Sequence, residues 1–292
     1  MKKTKELDPL YKGIILIISS AFFFALMNMF VSLSGDLPSY QKSFFRNLIA
    51  FIFAGIVIAK NKTSLKIPKK SVLPLALRSV FGTIGILCNF YALGILDLAD
   101  ASILNKMSPF FAILFSTFIL KEKIKPLQLL IVTGALFGAI CVIKPSFSNT
   151  LTAPAFIALM GGMCAGFAYT MVRVLGKQGV KGAIIVFVFS GFSCLVTSPA
   201  LIFAYTPMSL KQLIFLICAG LAAAGGQFTI TAAYCHAPAK DVSVYDYSQI
   251  IFAAGLGFLV FGQVPDLLSI IGYIIIVSMA VLMFVYNKRR SS

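Results

Sequence analysis

Long apolar runs alternate with short polar interruptions along the whole chain. Stretches such as FIFAGIVIA (51–59) and IIGYIIIVSMAVLMFVY (270–286) sit inside such runs, and a helix rising 1.5 Å per residue needs about 20 apolar residues to cross about 30 Å of hydrocarbon. A barrel strand would instead alternate every second residue over about ten positions. Ten helical spans are predicted, at 12–33, 41–59, 72–94, 101–120, 127–143, 154–173, 182–204, 212–235, 242–261 and 267–286. The expected fold is an all-α integral membrane protein, and the run near the N-terminus is read as a retained first helix, since it is too long for the apolar core of a signal peptide.

Composition agrees: 59% of the 292 residues are hydrophobic and 12% charged. The net charge of +16 would suit a nucleic-acid partner if it were clustered on a soluble face, but it follows topology. The connections on the side of both termini (MKKTKELDPLYK, KNKTSLKIPKK, KEKIKP, RVLGKQGVK, HAPAKD and NKRRSS) hold 19 of the 25 Lys and Arg. Those on the other side hold three, Lys42, Lys144 and Lys211. The positive-inside rule then places both termini in the cytoplasm. The expected setting is the cytoplasmic membrane, with anionic lipid against the basic side and no nucleic acid. The six cysteines all fall in or at the end of spans and read as small core residues. The sequence is compatible with a homodimer.

Ten spans with both ends on one side divide into two groups of five that start from opposite sides, the arithmetic of an inverted repeat. The segments ADASILNKMSPFFAILFSTFILKEKI (99–124) and KDVSVYDYSQIIFAAGLGFLVFGQVP (240–265) share a polar start, aromatic and small residues, and a turn after the helix, at an offset of 140 or 141. The expected units are 12–144 and 154–286.

The motifs FFRNLIAFIFAG (44–55), NFYALGILDLADASILNKMSPFFAILFSTFILKEKIKPLQLL (89–130) and AAYCHAPAKDVSVYDYSQIIFAAGLGFLVFGQVPD (232–266) resemble the EamA-type, ten-helix branch of the drug/metabolite transporter superfamily. They look like the part of it that includes S-adenosylmethionine carriers. Two departures stand out: Ser248, Gln249 and Ile250 occupy the place where the repeat usually has a proline, and Gln263 stands where the first half has Glu122. The resemblance implies a secondary transporter that moves a small polar metabolite, an amino acid or a derivative such as S-adenosylmethionine, by alternating access.

Ionisable groups inside spans cost about 2.5–3.5 kcal/mol at the centre of the bilayer, which makes each a candidate for function. They are Arg46, Arg78, Lys106 and Asp246. Snorkelling is the plain alternative for the cations, and Arg46, near the end of its span, reads that way first. Lys106 and Asp246 hold nearly equivalent places in the two repeats, yet regular helices would set them about 14 Å apart in depth. Arg78 lies at nearly the depth of Asp246 and is the expected partner of its carboxylate.

Polar and small residues also fall in helical stripes, Arg78, Gly82, Gly85 and Asn89 being the clearest. The glycines fit close helix packing at least as well as a cavity wall. The amides Asn28, Asn89, Asn105 and Gln227 either line a cavity or pair between helices. Tyr91, Tyr169, Tyr234, Tyr245 and Tyr247 offer aromatic faces, with interfacial anchoring as the competing use. The expected substrate-binding set is Asn28, Arg78, Asn89, Asn105, Lys106, Tyr169, Gln227, Tyr245 and Asp246.

No GxxxxGK[ST], HExxH or GxSxG pattern occurs, and His236, the single histidine, is expected in a loop. The chain is therefore expected to carry no cofactor or metal and to be no enzyme. A channel, a scaffold or an intramembrane enzyme stand as alternatives to the carrier.

Overall fold

The computed structural model describes residues 8–93, 104–143, 153–262 and 264–291. Ten helices occupy the predicted spans: α1 (Pro9–Leu33), α2 (Ser39–Lys60), α3 (Lys69–Leu93), α4 (Ser108–Ile119), α5 (Pro126–Ile143), α6 (Ala153–Lys177), α7 (Gly182–Phe203), α8 (Leu210–His236), α9 (Ala239–Phe261) and α10 (Leu267–Ser291). Eight are long and apolar enough to cross a membrane by themselves, and α4 and α5 are shorter apolar helices. Residues 94–103, 144–152 and 263, Lys144 and Gln263 among them, lie outside the described residues.

Local chemistry sets several ends. Asp8 accepts from Leu10 N at 2.9 Å and Pro9 fills the first turn of α1, where its missing N–H costs nothing. Ser209 and Gln212 form a reciprocal capping box at the start of α8. Gly262 closes α9 at φ 64°, a left-handed conformation that glycine adopts without strain. His236 is a correction to its expected place: it is the last residue of α8, with Nδ1 2.7 Å from Ala232 O.

The chain is arranged for lipid. Large apolar side chains such as Phe118, Leu195, Phe203 and Leu259 face outward, while Gln41, Arg46, Asn47, Arg78, Gln128 and Asp246 are buried. With no water in the hydrocarbon, polar side chains must find partners or a cavity inside the bundle.

The packing pairs exchange helix n for helix n+5. α1 lies on α8 as α3 lies on α6; α4 meets α6 as α9 meets α1; α2 pairs with α7 and α5 with α10. Glycines permit the closest of these approaches: a Cβ on Gly85 would fall 3.2 Å from Gly161 O, and one on Gly166 would fall 2.8 Å from both Ala112 N and Ser108 O.

Two helices are interrupted midway. In the fourth span, residues 104–105 are helical, Lys106 and Met107 form a turn, and α4 resumes at Ser108 with Pro109 in its first turn. Proline has no N–H to donate to the carbonyl four residues earlier, that of Asn105, and its ring crowds that carbonyl, so the break falls just before Pro109. α9 has no proline there. Its first turn (Ala239–Val242) passes into a 3-10 segment, Ser243–Tyr247, before α-helix returns over Ser248–Phe261. Ser, Val, Tyr and Asp are only moderate helix formers, and Ser248 Oγ donates to Tyr245 O at 2.6 Å, tying the segment to itself.

Candidate functional site

A cavity lies between the halves, lined from α3 by Arg78, Gly82, Gly85, Ile86, Asn89 and Phe90. That is the stripe predicted from helical spacing, complete. α1 adds Asn28, α2 adds Arg46, α6 adds Tyr169, α7 adds Phe189 and α8 adds Gln227. The two breaks supply Asn105, Lys106 and Ser108 on one side and Asp246 and Gln249 on the other. Asn105 and Ser108 have the same spacing as Asp246 and Gln249, at an offset of 141. By helix position the lining runs from the middle of the bundle toward the side opposite the termini. Among the described residues neither α5 nor α10 contributes to its lining.

Lys106 and Asp246 pair directly, against the expectation that depth would separate them. Lys106 Nζ donates to Asp246 Oδ2 at 3.1 Å and to Gln249 Oε1 at 2.6 Å, and Tyr247 OH donates to Lys106 O at 3.1 Å. The expectation assumed a uniform α-helical rise. It also placed the start of the span at 242, whereas α9 starts at Ala239 and takes its last steps to Asp246 as 3-10 helix, which rises about 2.0 Å per residue, so Asp246 stands about 12 Å from the start of α9 instead of about 7 Å. The broken start of the fourth span and the long lysine stem cover the rest. Both breaks thus meet at mid-depth.

Arg78 is correspondingly not the partner of Asp246. Its Nη2 donates to Gln227 Oε1 at 3.1 Å, and its guanidinium lies 4.0 Å from the ring centroid of Phe189. Its Nε has no hydrogen-bond partner among the described residues. Arg46, read first as a snorkelling cation, is instead 5% exposed and aimed into the cavity, and its Nε also lacks a partner. Its place inside an apolar run marked it as a candidate beside Arg78, but that place does not separate a snorkelling side chain from one that turns inward.

Tyr245 is the one predicted site residue that does not line the cavity. The tighter 3-10 winding turns it into the core between α9 and its neighbours, where its hydroxyl has no hydrogen-bond partner among the described residues. Tyr234 stacks on Tyr169 with centroids 5.1 Å apart, and its hydroxyl lies 3.3 Å from Ser243 Oγ. Tyr91 faces outward, 49% exposed.

On the side that carries the termini the bundle is closed by polar links between halves. Glu122 Oε1, in the turn after α4, accepts from Lys177 Nζ at 3.0 Å and Arg173 Nε at 3.5 Å. Arg173 Nη1 donates to Cys235 O at 3.0 Å. Gln128 Nε2 donates to Asp241 Oδ1 at 2.7 Å, Lys240 Nζ to Lys123 O at 2.7 Å, and Ser71 Oγ to Gln178 Oε1 at 2.7 Å. This latch was not read from the sequence, because its members look like ordinary topogenic charges in short loops.

A lipid-facing helical bundle around a charged mid-depth cavity, sealed at one end, is the architecture of a multi-pass membrane transporter. The chain belongs to the EamA-like transporter family, within the drug/metabolite transporter superfamily: the family profile matches residues 11–144. A pseudopaline exporter of Pseudomonas aeruginosa is 33% identical over 273 residues, covering 93% of this chain and 95% of that protein. Human solute carrier family 35 member G1 is 27% identical, over 91% of this chain and 77% of that protein. An S-adenosylmethionine uptake transporter of Rickettsia prowazekii is 24% identical, over 87% and 85%. A crystal structure superposes with a TM-score of 0.80 at 15% identity, over 97% of this chain and 99% of that one, a likeness of fold.

Proposed function

We propose that the protein is a secondary transporter that carries a small polar metabolite, an amino acid or an amino-acid-derived compound, across the cytoplasmic membrane by alternating access. The observation that carries this reading is the meeting of two broken helices, one from each half, at a charged cavity whose terminus-bearing side is latched. In transporters built from inverted repeats, discontinuous helices frame the substrate site near the midplane and the halves rock about it. The two units are taken as 12–144 and 154–286, and the family match over 11–144 supports the first of them. With both termini cytoplasmic, as the distribution of Lys and Arg supports, this conformation holds the cavity away from the cytoplasm.

Asn28, Arg78, Asn89, Asn105, Lys106, Tyr169, Gln227 and Asp246 are the proposed substrate contacts, joined by Arg46, Ser108, Phe189 and Gln249. The names of the relatives divide between export of pseudopaline and uptake of S-adenosylmethionine, so they support a metabolite carrier in common and leave the direction to flux. The test is counterflow in proteoliposomes of the purified protein. Saturable uptake of labelled substrate, accelerated by unlabelled substrate inside, is expected. Flux that rises linearly with concentration and shows no trans-acceleration would mean a channel, and the alternating-access reading would fall.

A further inference from the structure

Four ionisable side chains of opposite sign line the cavity, and their charges do not cancel. Lys106 and Asp246 neutralise each other at 3.1 Å. Arg46 and Arg78 remain, 5% and 2% exposed, and each Nε lacks a hydrogen-bond partner among the described residues. Among the described residues Arg78 is held by neutral groups, the Gln227 amide and the face of Phe189. A guanidinium stays charged under any physiological condition, so this part of the bundle carries two positive charges that no described carboxylate answers. Such charges in a low-dielectric setting are costly alone and strong ligands for oxyanions.

The room for this arrangement is built into α3. Gly82 lies one turn beyond Arg78, and a Cβ there would collide with Arg78 Nη1 and stand 2.8 Å from Phe189 Cε2. The guanidinium therefore lies across the glycine, fixed by the amide on one edge and the ring on its face, with Nε left over.

We propose that Arg46 and Arg78 form a two-point oxyanion site, and that the substrate is a net-negative, amino-acid-derived molecule bearing at least two carboxylate or phosphate groups. The inference rests on the carrier reading above and narrows its substrate. Each planar fork takes one oxyanion bidentately, while Asp246, already held by Lys106, contributes no free negative charge. Compounds with a net positive charge, S-adenosylmethionine among them, would add to the sign already in excess.

The test is ligand affinity of the purified full-length protein, read from thermal stabilisation, for four probes: N-carboxymethylglutamate, O-phosphoserine, glutamine and S-adenosylmethionine. At least one of the two net-negative probes should bind the wild type about tenfold or more tighter than glutamine does, and which of them binds tighter distinguishes a carboxylate site from a phosphate site. Arg46→Gln and Arg78→Gln should each lose about tenfold or more for that probe while changing glutamine little, and Arg46→Lys, which keeps charge without the fork, should lose less than Arg46→Gln. The wild-type ranking needs no variant to fold, and Gly82→Ala, which displaces Arg78 without changing any charge, should weaken the same probe. Glutamine or S-adenosylmethionine binding as tightly as both net-negative probes, or affinity that survives both Gln variants, overturns the proposal. Counterflow of S-adenosylmethionine unaffected by Arg46→Gln would overturn it too, while leaving the carrier itself standing.

Discussion

Arginine is half-buried in one region of this molecule and buried in another, and the surroundings differ. At the terminus-bearing end Arg173 meets the Glu122 carboxylate and the carbonyls that finish α8, and Lys177 shares the same carboxylate. At mid-depth Arg46 and Arg78 meet an amide, a ring and open space. A saturated cluster holds two halves together; an unsaturated one is available to something that arrives and leaves. Between them stands the Lys106–Asp246 pair, saturated like the latch but placed in the cavity wall like the arginines.

The largest effect is expected at that intermediate pair. Asp246→Asn strands Lys106 in a poorly solvated site, so unfolding should become easier by about 3 kcal/mol and counterflow should disappear. Adding Lys106→Gln should restore most of the stability and none of the flux. Thermal unfolding and counterflow on the same preparations separate these, and full stability in Asp246→Asn would show that the pair is not buried as described.

A middling effect is expected in the latch. Glu122→Gln removes the carboxylate that Arg173 and Lys177 share, worth about 1–2 kcal/mol for charge-assisted hydrogen bonds. The population should shift toward opening on the terminus-bearing side. Cys235, half-buried beside the Arg173 contact, then becomes the reporter: its alkylation by a maleimide should speed up several-fold. An unchanged rate would mean that the other links close this side without Glu122.

The smallest effect is expected at Tyr245. Its hydroxyl is buried without a hydrogen-bond partner among the described residues, so Tyr245→Phe should leave substrate affinity within about twofold and shift stability by less than about 1 kcal/mol, toward greater stability if at all. A clear loss of affinity, measured by thermal stabilisation, would return this tyrosine to the site.

The helices were legible because lipid imposes one rule on every outward position, and the α3 stripe because a regular helix keeps Arg78, Gly82, Gly85 and Asn89 on one face. What escaped depends on departures from regularity. A span start read at 242 and a uniform helical rise separated Lys106 from Asp246; the start at Ala239 and the 3-10 segment bring them together, and the tighter winding carries Tyr245 into the core. Pro109 marked the break in the fourth span openly, whereas the break in α9 is written only in moderate propensities over Ser243–Tyr247. Arg46 escaped for another reason: position along a span does not distinguish a side chain that reaches lipid headgroups from one that turns inward.

The offset of 141 between the breaks bears on how a ligand can sit. Two identical halves would present every feature of the cavity twice, and a molecule could settle in either of two equivalent poses. Here Asn105 stands at the position corresponding to Asp246, and Tyr247 at the position corresponding to Lys106, so the carboxylate and the ammonium each occur once. The cavity has a distinguishable head and tail. On the proposed carrier reading, a molecule with unlike ends meets different groups at each end, and an isomer with the same groups in reversed order is a different key for this lock.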